Sequence, residues 1–177
     1  NNTTGSTNTY MGYAAGYGNG AGTGEGNTAI GFYSQKDKGT SGNYNTSLGF
    51  YALGSDQNAG FTGTGNTSGG YYSQRFTSSG SYNTTFGYIA GERLTVGTNN
   101  TLIGAEAGTG SAPSGQLTSE SNRVCLGNNS VSHLYCKIST ITTSDKRDKT
   151  NFGEIAYGLE FVNKLKPTAT LLLLLQS

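Results

Sequence analysis

Apolar residues in this chain recur inside a fixed phrase rather than in isolated clusters. The phrase runs Asn-Thr, any residue, an apolar residue, Gly, an aromatic residue, any residue, then a small residue. Six copies open at Asn8, Asn27, Asn45, Asn66, Asn83 and Asn100, and successive starts lie 19, 18, 21, 17 and 17 residues apart. A degenerate seventh, Asn122-Arg123-Val124-Cys125-Leu126-Gly127, follows 22 residues later and reads as carrying one extra residue. Self-similarity at a period near twenty marks a stacked repeat architecture.

Taking every second residue from the apolar position gives Met11/Tyr13/Ala15, Ile30/Phe32/Ser34, Leu48/Phe50/Ala52, Gly69/Tyr71/Ser73, Phe86/Tyr88/Ala90 and Ile103/Ala105/Ala107. That period of two predicts a short strand per copy, with these residues on its buried face. Stacked copies would form columns of like residues. In the fourth copy Gly69 stands where an apolar residue is expected, and Tyr71 and Tyr72 are expected to compensate. The opposite face carries an unbroken column of Gly12, Gly31, Gly49, Gly70, Gly87 and Gly104. Glycine inside a strand marks a bend or a close backbone approach, so the column predicts a corner or a neighbouring chain packed against it. Each opening Asn suits the turn before its strand, because Asn tolerates the left-handed region and bonds nearby backbone. The expected fold class is all-β: an elongated β-solenoid or β-roll over residues 1–110.

Composition adds a constraint. Leu, Ile, Val and Phe total 31 of 177 residues, below the ~20% associated with ordinary folding. The formal net charge is only +1, and many of the twelve Tyr residues keep phase with the repeat, which a disordered linker has no reason to do. A copy of this size cannot enclose a core alone, and oligomerisation is a usual remedy for thin cores. The expectation is therefore a parallel homotrimer. Six basic and six acidic residues in 1–143 leave no basic stripe, which argues against nucleic acid as a partner. The chain opens on Asn1 without a signal-like segment, which reads as a fragment or processed form of something longer.

Beyond the repeats, residues 111–121 break the rhythm with Pro and Ser and read as a loop. Segments 123–126 and 131–138, around Gly127-Asn128-Asn129-Ser130, predict a hairpin that closes the shaft over 111–143. Cys125 and Cys136 would not lie opposite one another in it, so both are expected as buried free thiols. His133 lacks a second ligand nearby, and the Cys/His spacing matches no zinc pattern. Neither metal nor cofactor is expected. Sequons at Asn2, Asn45, Asn66, Asn83 and Asn99 are mostly products of the repeat itself. After Asn151, Ile155, Leu159, Val162 and Leu165 fall on one face of a helix that Pro167 ends. The run 171–175 is too short to span a membrane and reads as a buried strand.

Two resemblances follow from these residues. The Asn27-Thr28-Ala29-Ile30-Gly31 style of repeat resembles the head repeats of trimeric autotransporter adhesins, which form parallel β-rolls; similar repeats occur in phage tail fibres. The segment Ser144-Asp145-Lys146-Arg147-Asp148-Lys149-Thr150-Asn151-Phe152, with the amphipathic stretch ending Lys164-Leu165-Lys166-Pro167, resembles the start of the endosialidase-type intramolecular chaperone domain that ends many tail fibres and tailspikes. That resemblance places a chaperone start at 144–177 and implies trimerisation. It also implies self-cleavage between Thr143 and Ser144, with Ser144 as nucleophile and Lys149 as its base. Asp148 stands where the family usually has an aliphatic residue, and its carboxylate would favour charged Lys149 and weaken it as a base.

The function these readings imply is structural and adhesive: the distal part of a homotrimeric phage tail fibre, extracellular on the virion, touching host surface glycans. The alternative is the head of a bacterial surface adhesin. An enzyme acting on an external polysaccharide has no support, because Glu25, Asp37, Asp56, Glu92, Glu106 and Glu120 form no recurring carboxylate pair.

Overall fold

The structure, a computed structural model, describes residues 5–18, 22–36, 41–54 and 60–137. Over these residues the chain is all-β, a parallel β-solenoid without a helix. Each copy of the phrase contributes one strand of three residues: β1 (Thr9–Met11), β2 (Thr28–Ile30), β3 (Thr46–Leu48), β4 (Thr67–Gly69), β5 (Thr84–Phe86), β6 (Thr101–Ile103) and β7 (Val124–Leu126). The seven strands form one sheet in sequence order, every neighbour parallel and in register, so that Thr9, Thr28, Thr46, Thr67, Thr84, Thr101 and Val124 form one column. Contacts divide the chain into two compact units, Asn1–Leu134 and Tyr135–Ser177; the solenoid is the first. The expected C-terminal helix, the 171–175 run, Ser144 and Lys149 lie outside the described residues.

The buried face differs from the sequence expectation. Within each strand the middle residue points inward: Ala29, Ser47, Ser68, Thr85, Leu102 and Cys125 are buried. The apolar residue that follows points outward, and Met11 and Leu48 are 64% and 51% exposed. The aromatic residue after Gly is outward too, as at Tyr13, Phe32, Phe50, Tyr71 and Tyr88. Only the small residue of the predicted face is interior: Ser34, Ala52, Ser73, Ala90 and Ala107 are fully buried. The reason is local. Alternation holds only while the chain is extended, and here it ends after three residues at the Gly corner.

That corner explains the glycine column. Gly12, Gly31, Gly49, Gly70, Gly87 and Gly104 have φ between 107° and 140°, a region that L side chains avoid. A Cβ on Gly87 would also lie 2.4 Å from the carbonyl oxygen of Gly104 in the next coil. The close neighbour is the next turn of the same chain. Two further left-handed positions tighten the bend in each coil, as at Tyr33 and Gln35 or Tyr72 and Gln74.

The seventh copy is regular rather than lengthened. Thr101 pairs with Val124, and Asn122 takes the left-handed φ of 60° that Tyr44, Gly65, Tyr82 and Asn99 take just before their Asn. Arg123 therefore occupies the Asn position. The expected hairpin is absent: β7 pairs in parallel with β6, and 131–137 forms no strand. After Gly127 the chain turns instead through a Val131 N–H bond to the Asn128 carbonyl. Gly69 is covered by the Phe86 ring of the next coil, not by Tyr71 and Tyr72; a neighbouring ring shields a strand glycine as in designed sheets.

Candidate functional site: a buried asparagine ladder behind an exposed aromatic face

The repeated Asn does more than open a turn. Asn27, Asn45, Asn66, Asn83 and Asn100 are buried and stacked. The Asn66 Oδ1 accepts from the Asn83 backbone N–H at 3.0 Å, from Asn83 Nδ2 at 3.1 Å and from Gln74 Nε2 at 3.2 Å. Its Nδ2 donates to Asn45 Oδ1 at 3.1 Å and to the Gly80 carbonyl at 2.9 Å. Asn45, Asn83 and Asn100 repeat this pattern. At one end Asn8 Oδ1 accepts the Asn27 N–H, and at the other Asn100 Oδ1 accepts the Arg123 N–H at 2.9 Å. Each amide thus fastens its own coil to both neighbours, and a stacked amide ladder of this kind adds to backbone pairing. Because Asn45, Asn66 and Asn83 are sealed inside, their sequons are closed to glycosylation in the folded chain.

The ladder reveals a second glycine column that the phrase did not include. Gly24, Gly42, Gly63, Gly80 and Gly97 lie three residues before each Asn, and their carbonyls accept the amide of the preceding coil's Asn. A Cβ on Gly63 would sit 2.1 Å from the Gly80 oxygen. The recurrence of Gly-x-x-Asn-Thr was present in the sequence and could have shown it. In the seventh copy Glu120 takes this place, and its carbonyl accepts Asn100 Nδ2 at 2.9 Å. The Thr118 N–H, then the N–H groups of Glu120 itself and Ser119, hold the Glu120 carboxyl below its ordinary value.

On the outer surface, Tyr13, Phe32, Phe50, Tyr71 and Tyr88 stack in parallel. Successive ring centroids lie 5.0 to 5.4 Å apart with interplanar angles of 7° to 16°. Beside them runs the outward column of Met11, Ile30, Leu48, Phe86, Ile103 and Leu126. Around the corner Tyr33, Tyr51 and Tyr72 meet edge to face at 4.9 and 5.6 Å. Lys36 lies over Tyr33, with Nζ 4.0 Å from the ring centroid, and Arg75 lies over Tyr72 at 4.1 Å. Such cation–ring pairs contribute about 0.5–1 kcal/mol at exposed sites.

The structure brings all the predicted Asn and Gly positions into two continuous lines. Cys125 is buried but Cys136 is exposed, against the expectation that both thiols are interior; the hairpin that would have enclosed Cys136 does not form, since β7 pairs in parallel with β6. His133 Nδ1 lies 2.8 Å from Ser132 Oγ. Among the described residues no group of three His, Cys, Asp or Glu side chains is placed to hold a metal, and no helix is long and apolar enough to cross a membrane. Burial raises the Tyr10 phenol, opposed by its hydrogen bond to Asn27.

Fold and ladder together define the class: a parallel β-solenoid whose coils are joined by a buried amide ladder. No family model, curated protein or solved structure matches the chain.

Proposed function

We propose that this chain is a shaft element of a parallel homotrimeric fibre, the distal part of a phage tail fibre on the virion surface that contacts host glycans. The observation that carries the reading is the outward apolar face. Two adjacent columns hold Met11, Leu48, Phe86, Ile103 and Leu126 beside Tyr13, Phe32, Phe50, Tyr71 and Tyr88, all more than a third exposed. Soluble monomers rarely leave so long an apolar stripe to water. The columns run in register over several coils, the aromatic one from Tyr13 to Tyr88, so parallel copies related by a rotation axis would set like residues against like. The number three, and the virion rather than a bacterial surface, come from the likeness of 144–152 to the tail-fibre chaperone. Ser144 and Lys149 keep their proposed role in self-cleavage, which a fragment mass beginning at Ser144 would test.

The reading is tested by native mass spectrometry of the intact 18.4 kDa chain. A species of three chains is expected, and Leu48→Glu with Phe50→Glu in the middle of the stripe should reduce it to monomer. A wild-type chain that stays monomeric at micromolar concentration overturns the proposal.

A further inference from the structure

The corner column of aromatic rings is confined to three coils, with Ala14 before it and Ile89 and Glu106 after it at the same left-handed position. Tyr33, Tyr51 and Tyr72 occupy equivalent positions in successive coils, at φ of 55°, 52° and 55°. The same position in the first coil is Ala14, at φ 51°. Where the fourth ring would lie there is instead a cleft of about 460 Å³, lined by Tyr13, Ala14, Tyr17, Tyr33 and Lys36. Tyr13 and Tyr33 present tilted rings 5.5 Å apart at its wall. Lys36 brings an ammonium group, and among the described residues no carboxylate lines the cleft. Glu25, which belongs to the same two coils, is engaged elsewhere as the acceptor of the Tyr44 hydroxyl at 3.0 Å.

We infer that this cleft binds a pyranose ring carrying a carboxylate, as in an acidic polysaccharide. The lining matches that chemistry part by part. Tyrosine rings offer apolar faces on which the C–H side of a sugar ring packs, and their hydroxyls serve as donors and acceptors. The cation answers the carboxylate, and charge-assisted bonds are the stronger kind. The volume lies within the range of small-ligand clefts and exceeds what one phenol ring needs. The inference deepens, and rests on, the glycan-contact part of the proposal above. Tyr13 belongs both to the cleft wall and to the apolar columns, but positions 14 and 36, which the variants change, lie off those columns, so trimer formation is tested separately.

The test is titration of the intact chain with a galacturonic acid trisaccharide, a galactose trisaccharide and acetate, followed by ligand-observed NMR and calorimetry. The acidic trisaccharide should bind in the millimolar range or tighter, at least tenfold better than the neutral one, with affinity falling as salt rises. Lys36→Gln should remove that tenfold preference while retaining residual binding. Ala14→Tyr should fill the cleft and abolish binding of both sugars. Because Tyr occupies the equivalent backbone position in three other coils, that variant should keep the wild-type circular dichroism spectrum and native mass. Equal affinity for the acidic and neutral sugars, unchanged binding in folded Ala14→Tyr, or no binding at about 10 mM would each overturn the inference. None of these results bears on the oligomer mass.

Discussion

The solenoid has two interiors. In the middle coils hydroxyls and amides share the space inside the ladder with Ala52, Leu53 and Phe61: Ser34 meets Ser47 at 2.7 Å, Ser68 donates to the Ser73 carbonyl at 2.8 Å, and Ser73 donates to Thr85 Oγ1 at 2.9 Å. Gln35 and Gln74 reach back to the ladder oxygens of Asn27 and Asn66. In the last coils the same positions are apolar, and Ala90, Leu94, Leu102, Ala107, Ala112, Leu117 and Cys125 form one cluster. Yet the ladder, the threonine column and the glycine corners continue through both regions. Coil geometry is therefore set by the backbone-binding residues, and the filling can change provided its polar atoms are satisfied. Buried polar groups are tolerated when hydrogen-bonded and costly when not. Toward the C-terminal end the 109–117 loop adds Ala112 and Leu117 to the interior, where hydrophobic burial takes over.

The largest effect should come from the element both regions share. Asn66→Ala removes three accepted and two donated bonds and leaves buried donors on Asn83 and Gln74, so a loss of about 4 kcal/mol is expected from denaturant unfolding. An unchanged midpoint would mean that the ladder is ornamental. Next, Leu102→Ala in the apolar end should cost about 3 kcal/mol through lost burial and a cavity, whereas Ser68→Ala at the equivalent place in the polar region should cost about 1 kcal/mol. Equal losses would erase the distinction between the interiors.

A smaller effect should run the other way. Gln35 Oε1 is buried without a hydrogen-bond partner among the described residues, while the corresponding Gln74 Oε1 accepts from Thr85 Oγ1 at 3.3 Å. Leu53 fills the same position one coil later and is buried. Gln35→Leu should therefore stabilise the chain by about 1 kcal/mol, read as a raised unfolding midpoint. The smallest effect concerns Glu120. Its folded-state carboxyl is lowered by the Thr118 N–H first, so its contribution is present above the ordinary carboxylate value near ~4.3 and is lost as pH falls through the lowered one. Wild-type stability should fall across that acid window, and Glu120→Gln should flatten part of the slope while leaving the middle coils unaffected.

How far the sequence could be read follows from which residues meet backbone. The Asn and Gly columns were legible because they answer needs that hardly vary: an amide that binds neighbouring coils, and a φ with a close approach that excludes a Cβ. The repeat and one short stacked strand per copy follow from them; that each strand ends after three residues does not. The face of the strand was not legible past the corner, since counting by twos assumes an extended chain and Gly49 or Gly87 ends it. The ring that shields Gly69 comes from the following coil, and Phe61, Leu94 and Leu117 enter the interior from segments of irregular length that carry no period.

Sequence alone thus determined that this protein is a stack of like β-coils with recurring Asn and Gly lines. Only the tertiary structure decided which side of each coil is inside. A three-residue strand carries two outward residues and one inward one, and their identities do not say which. The choice falls to the amide ladder, which must be shut away from water to hold its hydrogen bonds, and so turns Ser47 and Ser68 inward and leaves Leu48 and Phe50 outside.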